Sequence, residues 1–411
     1  MQCDFASWPS GGTHGNDPEA RGVRDKSNYL ASNSDNMENS REQAIISDLE
    51  VYTVQVSPKT TWIFVRTCAT DGSEGWGEAT RFDLVAAMAA ELAQLRAALL
   101  GRGSREAHSV LVAARTMLSS EVRGFAIHAV EQSLLDLQAR RAGLPLVDML
   151  GGPFRQSVPF YANLNRGVAD RTPRGFAARA REVAAAGYTA IKLAPFDGLE
   201  WSSASPENGR RLLAAGIDRI MAVREAVGPA PWLLVDCHWR LSSLMALDVL
   251  RETESAQLYW LEDPLEDAQF STAEARRVRS AANALGVRLA GGERLTSLAG
   301  MRDLLRRGAY DVVLPDLRDT GVRGGIAMLE LAVASGVEAS LHNPVGPVLD
   351  ALSVHVAAAL PSFSILEGQV FESPLFDEIA GGPRGLNHGC RVVAETSGIG
   401  LSPKLAVSAQ P

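Results

Sequence analysis

The sequence predicts an α/β fold, a parallel barrel of the TIM type preceded by a smaller α+β unit. Three observations carry this. From residue 158 onward eight short apolar runs recur, mostly with helical segments between them. The runs are apolar throughout rather than alternating, which marks strands covered on both faces. Eight such units within about 210 residues match the eight strands of a barrel.

The elements follow in order. Residues 1–44 are rich in Gly, Asn, Ser and Asp and poor in aliphatic residues. Such a stretch cannot bury enough surface to offset its ordering entropy, so a disordered leader is expected. Strand-like runs begin at AIISDLEVYTVQV and continue in TTWIFVRTCATDGSEGWGEAT, whose DGSEG suits a hairpin turn. From Leu84 to Leu150 the period becomes helical, with Gly101 and Gly143 as C-terminal stops. The eight apolar runs are residues 158–163, 189–194, 232–236, 258–262, 287–291, 310–315, 337–341 and 363–367. The expected boundaries are a leader at 1–44, the α+β unit at 45–155, the barrel at 156–370 and a C-terminal segment at 371–411.

Composition narrows the function. The 411 residues are 46% hydrophobic and 21% charged, ample for a large core and two domains. A net charge of −8 and scattered basic residues argue against nucleic acid or an anionic membrane as partner. There is no apolar run of about 18 residues and no secretory signal pattern. The four cysteines, Cys3, Cys68, Cys237 and Cys390, are spaced neither as a disulfide framework nor as a zinc site. A reducing cytoplasm is the expected compartment.

What ends each run is more informative. The second run carries Lys192. The third ends in Asp236, with His238 just beyond, and the fourth ends in Glu262. Glu293 closely follows the fifth, Asp316 the sixth and His342 the seventh; the eighth ends in Glu367. Barrel active sites lie at the C-terminal ends of the strands. One such residue is unremarkable for stability; seven successive strands each delivering an ionisable group to one rim point to a site.

Asp236, Glu262 and Glu293 are separated by 26 and 31 residues, about one βα unit each. Three converging carboxylates repel unless something positive lies among them. A hard divalent cation such as Mg²⁺ suits an all-oxygen set; the competing explanation pairs the acids with Arg240 or Arg294. Asp316 beside His342 would fix the imidazole tautomer and make a general base. The Asn-Pro and Gly-Pro steps of SLHNPVGPV place that histidine in a loop. A metal and a basic histidine suit abstraction of the proton next to a carboxylate, with Lys192 or Glu367 helping to stabilise the enediolate. His238 could then protonate a departing β-hydroxyl.

The ordered motifs GWGEA (75–79), AVEQSLLDLQARRAGLPLVDMLGG (129–152), IKLA, LLVDCHWR, WLEDP, GGERL, LPDLRDTG, SLHNPVGPV and ILEG resemble the mandelate racemase-like branch of the enolase superfamily, over roughly residues 45–405. The resemblance implies a modified (β/α)-barrel closed by a capping domain, which the α+β unit and the C-terminal tail form together. It implies Mg²⁺ at Asp236, Glu262 and Glu293, an Asp316–His342 base, and Glu367 hydrogen-bonded to the substrate carboxylate or enolate. DCHWR and HNPVGP look most like acid-sugar dehydratases of the galactonate dehydratase kind, in which the histidine two residues after the first metal ligand is the acid. It also implies a homo-oligomer.

The sequence departs from the family at the second strand. The usual Lys-x-Lys reads Lys192-Leu193-Ala194, so a second base on the opposite face is missing and simple racemisation loses support. The expected activity is Mg²⁺-dependent dehydration of a sugar acid to a 2-keto-3-deoxy acid. An epimerase or cycloisomerase using the same enolate is the alternative, and a non-catalytic binding protein is the third reading. Asn163, Asn165, Arg166 and Arg240 are expected at the substrate, while Lys59, Arg115 and Arg123 read more readily as surface charges. Trp239 and Trp260 read as packing residues.

Overall fold

A computed structural model describes residues 43–81, 84–116, 120–202, 205–266, 269–382 and 386–405. The expected leader therefore lies almost wholly outside the described residues. Three antiparallel strands open the chain: β1 (Ile46–Ser57), β2 (Thr60–Ala69) and β3 (Glu74–Glu78). The turn between β2 and β3 is the expected one, with Gly72 at φ +82° and Asp71 accepting from Ser73 N at 3.0 Å. Three helices follow, α1 (Val85–Leu99), α2 (Ser104–Thr116) and α3 (Glu121–Ala142); α1 and α3 pack on the sheet and α2 packs on them. Ser120 caps α3 by accepting from Arg123 N, and Gly143, left-handed at φ 67°, ends it. In GWGEA both glycines are there for close approach. A Cβ at Gly75 would lie 2.1 Å from Ser133 O, and one at Gly77 2.0 Å from Ala129 O. Strand β3 thus rides directly on the backbone of α3.

After the short α4 (Leu146–Met149) the barrel begins. Its strands are β4 (Ser157–Asn163), β5 (Ala190–Leu193), β6 (Trp232–Asp236), β7 (Leu258–Glu262), β8 (Arg288–Gly291), β9 (Val312–Val313), β10 (Glu338–Ala339) and β11 (Leu366–Gln369). They run parallel, β4 to β10 in sequence order with β11 beside β4. A Leu341–Leu366 bridge closes the ring. Seven helices alternate with these strands: α5 (Pro173–Ala185), α6 (Pro206–Val227), α7 (Ser243–Glu252), α8 (Thr272–Ala284), α9 (Leu298–Arg307), α10 (Leu317–Ala334) and α11 (Pro347–Ala358). The result is a (β/α)₇β barrel, modified in that α12 (Leu375–Ala380) and β12 (Cys390–Val392) follow the eighth strand.

All eight apolar runs hold strands, but the last three differ in extent. β9 and β10 are two residues each, and β11 starts three residues later than the apolar run. At the closing seam the chain satisfies its polar groups singly, through Ser364 N to Ala339 O at 2.8 Å and Ser340 Oγ to Ile365 O at 2.6 Å. That pattern leaves no ladder for periodicity to reveal.

The barrel interior is filled by Tyr161, Ala190, Leu234, Trp260, Ala290, Val312, Leu314 and Ile365. Tyr161 meets Trp260 edge-on, with centroids 5.3 Å apart. This apolar layer is a floor, and the polar strand ends stand above it. The tail runs along the outside: β12 pairs antiparallel with β4, and further on Gly398 N bonds to Leu144 O and Ile399 N to Asp136 Oδ1. No helix among the described residues is long and apolar enough to cross a membrane.

Candidate active site

Each strand-end residue takes its place from the register below it. Lys192 lies two residues above the floor residue Ala190, inside the barrel, and is fully buried. Asp236 and Glu262 are paired across β6 and β7, so their carboxylates enter side by side. Glu367, the second residue of β11, completes a ring around the ammonium. Lys192 Nζ lies 2.6 Å from Glu262 Oε1, 2.9 Å from Glu367 Oε1 and 3.7 Å from Asp236 Oδ2. Burial alone would discharge this lysine, but the carboxylates outweigh it and hold its pKa well above the ordinary value. Burial together with Asp236 and Glu367 pushes Glu262 up to about 8, against the pull of Lys192. Trp260 Nε1 donates to Glu262 Oε2 at 3.1 Å, so this tryptophan orients the carboxylate as well as packing.

His238 stands on a turn that most residues avoid. His238, Trp239 and Asp263 have φ values of 47°, 57° and 40°, each a cost of order 1 kcal/mol or more. Hydrogen bonds from Cys237 N to Glu262 O at 2.9 Å and Trp239 N to Asp263 O at 2.6 Å hold the turn. The turn folds His238 back onto its own strand. His238 Nε2 lies 3.0 Å from Asp236 Oδ2, and His238 N donates to Asp236 Oδ1 at 3.0 Å. The imidazole remains 40% exposed while Asp236 is 2% exposed, so the ring faces the cleft. The Asp236 charge raises the His238 pKa, and burial opposes it.

The second histidine sits across the ring. His342 Nδ1 donates to Asp316 Oδ2 at 2.8 Å, which leaves Nε2 on the other side of the ring. That Nε2 lies 3.0 Å from Glu293 Oε2. Burial pulls the His342 pKa down, but Glu293 and Asp316 prevail and hold it well above 6.5. Asp316 is itself gripped by Arg318, whose Nε lies 3.0 Å from both carboxylate oxygens. Burial opposes ionisation of Asp316; Arg318 and His342 override it and keep its pKa low.

The expected substrate contacts divide. Asn163 Nδ2 donates to Glu367 Oε1 at 2.6 Å and belongs to the ring. Asn165 accepts from Ala194 N and braces the rim. Arg166 pairs with Glu372 at 3.1 Å beneath the β1–β2 hairpin, whose Ser57 and Thr60 hydroxyls also reach Glu372. Arg240 turns outward to Glu200 and Leu199 O. Arg294 stacks on Trp239 and pairs with Glu266. Neither Arg240 nor Arg294 pairs with Asp236, Glu262 or Glu293. Arg115 and Arg123 bond within the fold, to Thr320 O and to Glu91. Two residues unremarked in the sequence join the site. Arg318 clamps Asp316, and Asn343 donates its backbone N–H to Glu367 Oε2 at 2.8 Å. Arg318 follows Asp316 by the same two-residue step that separates Asp236 from His238, the one local signal that could have flagged it.

The family model "Enolase C-terminal domain-like" matches residues 175–407. "Mandelate racemase / muconate lactonizing enzyme, N-terminal domain" matches residues 44–151. The chain belongs to the enolase superfamily. Within this superfamily it is 34% identical over 346 residues to a D-gluconate dehydratase of Thermoproteus tenax, covering 83% of this chain and 67% of that one. It is 27% identical to a D-xylonate dehydratase of Haloferax volcanii, with 86% of each chain covered. A D-galactonate dehydratase of Xanthomonas euvesicatoria is 26% identical, over 72% of this chain and 75% of its own. Among solved structures, a mandelate racemase/muconate lactonizing enzyme from Sulfitobacter sp. superposes with a TM-score of 0.76 at 23% identity, covering 88% and 93%. A mandelate racemase/muconate lactonizing enzyme-like protein from Roseovarius sp. TM1035 gives 0.77 at 22%, with the same coverage. At those identities the two structures speak for the fold alone.

The donor set suits a hard cation in chemistry. Asp236, Glu262 and Glu293 offer oxygen alone, among five carboxyl groups that share Lys192, Arg318 and the two histidines. As placed, the three expected ligands each face a cationic side chain instead: Asp236 faces His238, Glu262 faces Lys192 and Glu293 faces His342. Among the described residues no three His, Cys, Asp or Glu side chains are gathered in ligating geometry.

Proposed function

We propose that this enzyme is a sugar-acid dehydratase, a hydro-lyase that removes the proton α to a carboxylate and expels the β-hydroxyl. The observation that carries the reading is the pair of histidines, each held by its own carboxylate and both just past a barrel strand on the same rim. His342 is tied to Asp316 at 2.8 Å and His238 to Asp236 at 3.0 Å. One is the base and the other the acid. Ala194 stands where a second lysine would have provided a base on the far face, so elimination is favoured over racemisation. The dehydratase names of the relatives from Thermoproteus, Haloferax and Xanthomonas support the same substrate class.

The residues divide the work. His342 Nε2, once released from Glu293, takes the C2 proton; Asp316 keeps Nδ1 protonated and stabilises the imidazolium that forms. Lys192 and Glu367 lie where charge builds on the substrate carboxylate, and Lys192 supplies fixed positive charge in a dry site. His238 gives its proton to the C3 hydroxyl, which leaves as water, and the resulting enol ketonises to a 2-keto-3-deoxy acid. Asp236, Glu262 and Glu293 would hold Mg²⁺, which supplies Lewis-acid stabilisation of the enediolate. Their oxygen-only character supports that assignment.

The test is a keto-acid assay on D-gluconate, D-xylonate, D-galactonate and the corresponding diacids, with Mg²⁺ or with EDTA. The reading predicts a keto product that EDTA abolishes. Deuterium incorporation at C2 without any keto product would instead favour epimerisation.

A further inference from the structure

The stretch that follows Asp316 is held from outside the barrel. Arg318 NH1 donates to Thr80 O at 3.1 Å, just past β3. His128 of α3 donates from Nδ1 to Arg318 O at 2.7 Å. Glu131, one turn further along α3, accepts from Val322 N at 3.2 Å. Arg115 of α2 donates to Thr320 O at 3.2 Å. Every one of these partners lies in the N-terminal unit, and Arg318, Thr320 and Val322 are buried. The helix is bent to allow it. Gly321 breaks α10 with φ 70° and ψ 174°, and a Cβ there would come within 2.2 Å of Glu131 Oε2 and 3.0 Å of His128 Cδ2. On its other side Arg318 grips both oxygens of Asp316 through Nε and reaches Oδ2 again through NH2. Asp316 in turn holds His342 Nδ1. A chain of hydrogen bonds therefore runs from Thr80, just past β3, through the Arg318 guanidinium and Asp316 to the imidazole, while α3 holds the Arg318 backbone carbonyl.

We infer that Arg318 is a positioning residue that makes the geometry of the His342 base conditional on docking of the N-terminal capping unit. The inference rests on the reading of His342 as base. A guanidinium fork fixes the plane of the carboxylate it grips, which a lysine cannot do. His128 is suited to its place because burial lowers its pKa to about 4, so it is neutral and its Nδ1–H is available to the Arg318 carbonyl. The arrangement ties formation of the base to closure over the barrel mouth, so that an undocked cap leaves His342 without a fixed tautomer.

The experiment uses the full chain labelled with ¹⁵N-histidine. The Nδ1-bound proton of His342, buried against Asp316, gives a downfield proton resonance assigned by its absence in His342→Asn. In Arg318→Lys and in His128→Phe this proton exchanges with water at least about tenfold faster. Turnover of D-gluconate, D-xylonate or D-galactonate, whichever the wild type dehydrates, falls about 10–100-fold with KM nearly unchanged, the usual cost of removing an outer partner. An unchanged resonance in both variants overturns the inference, even if turnover falls, because the loss then arises elsewhere. If Arg318→Lys does not fold, His128→Phe decides alone, since it leaves every barrel side chain in place. Full turnover by His342→Asn would refute the base reading itself, a result distinct from failure of the Arg318 variants.

Discussion

At the residue scale the site is a problem of charge. Four buried carboxylates and the half-buried Glu293 share Lys192, Arg318 and two histidines, each in direct contact with a partner. Removing one ligand oxygen should be felt by the metal before it is felt by the fold. Glu262→Gln keeps the shape and the Trp260 contact, and Mg²⁺ affinity measured by calorimetry is expected to fall at least about tenfold, ~1.4 kcal/mol. Unchanged affinity would remove Glu262 from the ligand set. His342→Asn should cut turnover by about 10²–10⁴-fold, the range for a lost general base, with Mg²⁺ binding nearly intact. Most of these side chains were legible in the sequence because each sits at or just past the end of an apolar run. Arg318 was not, because its value depends on bonds to Thr80 and His128, far away in sequence. The outward turn of Arg240 toward Glu200 was equally invisible, since a neighbour on the next loop decides it.

At the scale of elements, close approach matters more than propensity. The strand β3 carries two glycines because the backbone of α3 lies against it. Gly77→Ala would place a methyl 2.0 Å from Ala129 O. The strand or the helix must shift, and thermal unfolding should show a loss of about 1–3 kcal/mol; wild-type stability would mean that the contact yields freely. Glu78, next along, accepts from Gly346 N and Leu349 N at the start of α11, so β3 also braces the helix that follows the His342 loop. Strands β4 to β8 were readable because each spans four to seven residues, mostly apolar, with a polar residue at one end or, in β5, Lys192. β9, β10 and the shifted start of β11 were less so, because side chains and single bridges close the barrel there.

At the scale of the whole molecule, buried histidines couple the parts to pH. His355 of α11 accepts from Val147 N at 3.3 Å, and burial lowers its pKa to about 4. A histidine with a depressed folded pKa stabilises the protein above the unfolded value near 6.5, and that stability is lost as pH falls toward 4. Between pH 7 and pH 5 this group accounts for about 2 kcal/mol. Denaturant unfolding of His355→Leu should therefore show a pH dependence smaller by that amount; an equal dependence would contradict the neutral, buried state. The proposed reaction belongs to the barrel rim, with His342 and His238 given opposite tasks. The measurement that tests this most directly is proton NMR in D₂O of His238→Asn with a sugar acid that the wild type dehydrates. The account predicts deuterium at C2 with no keto acid formed, because the base works and the leaving group is stranded. Keto-acid formation at the wild-type rate, or absence of exchange with fold and Mg²⁺ binding intact, would contradict the division of roles.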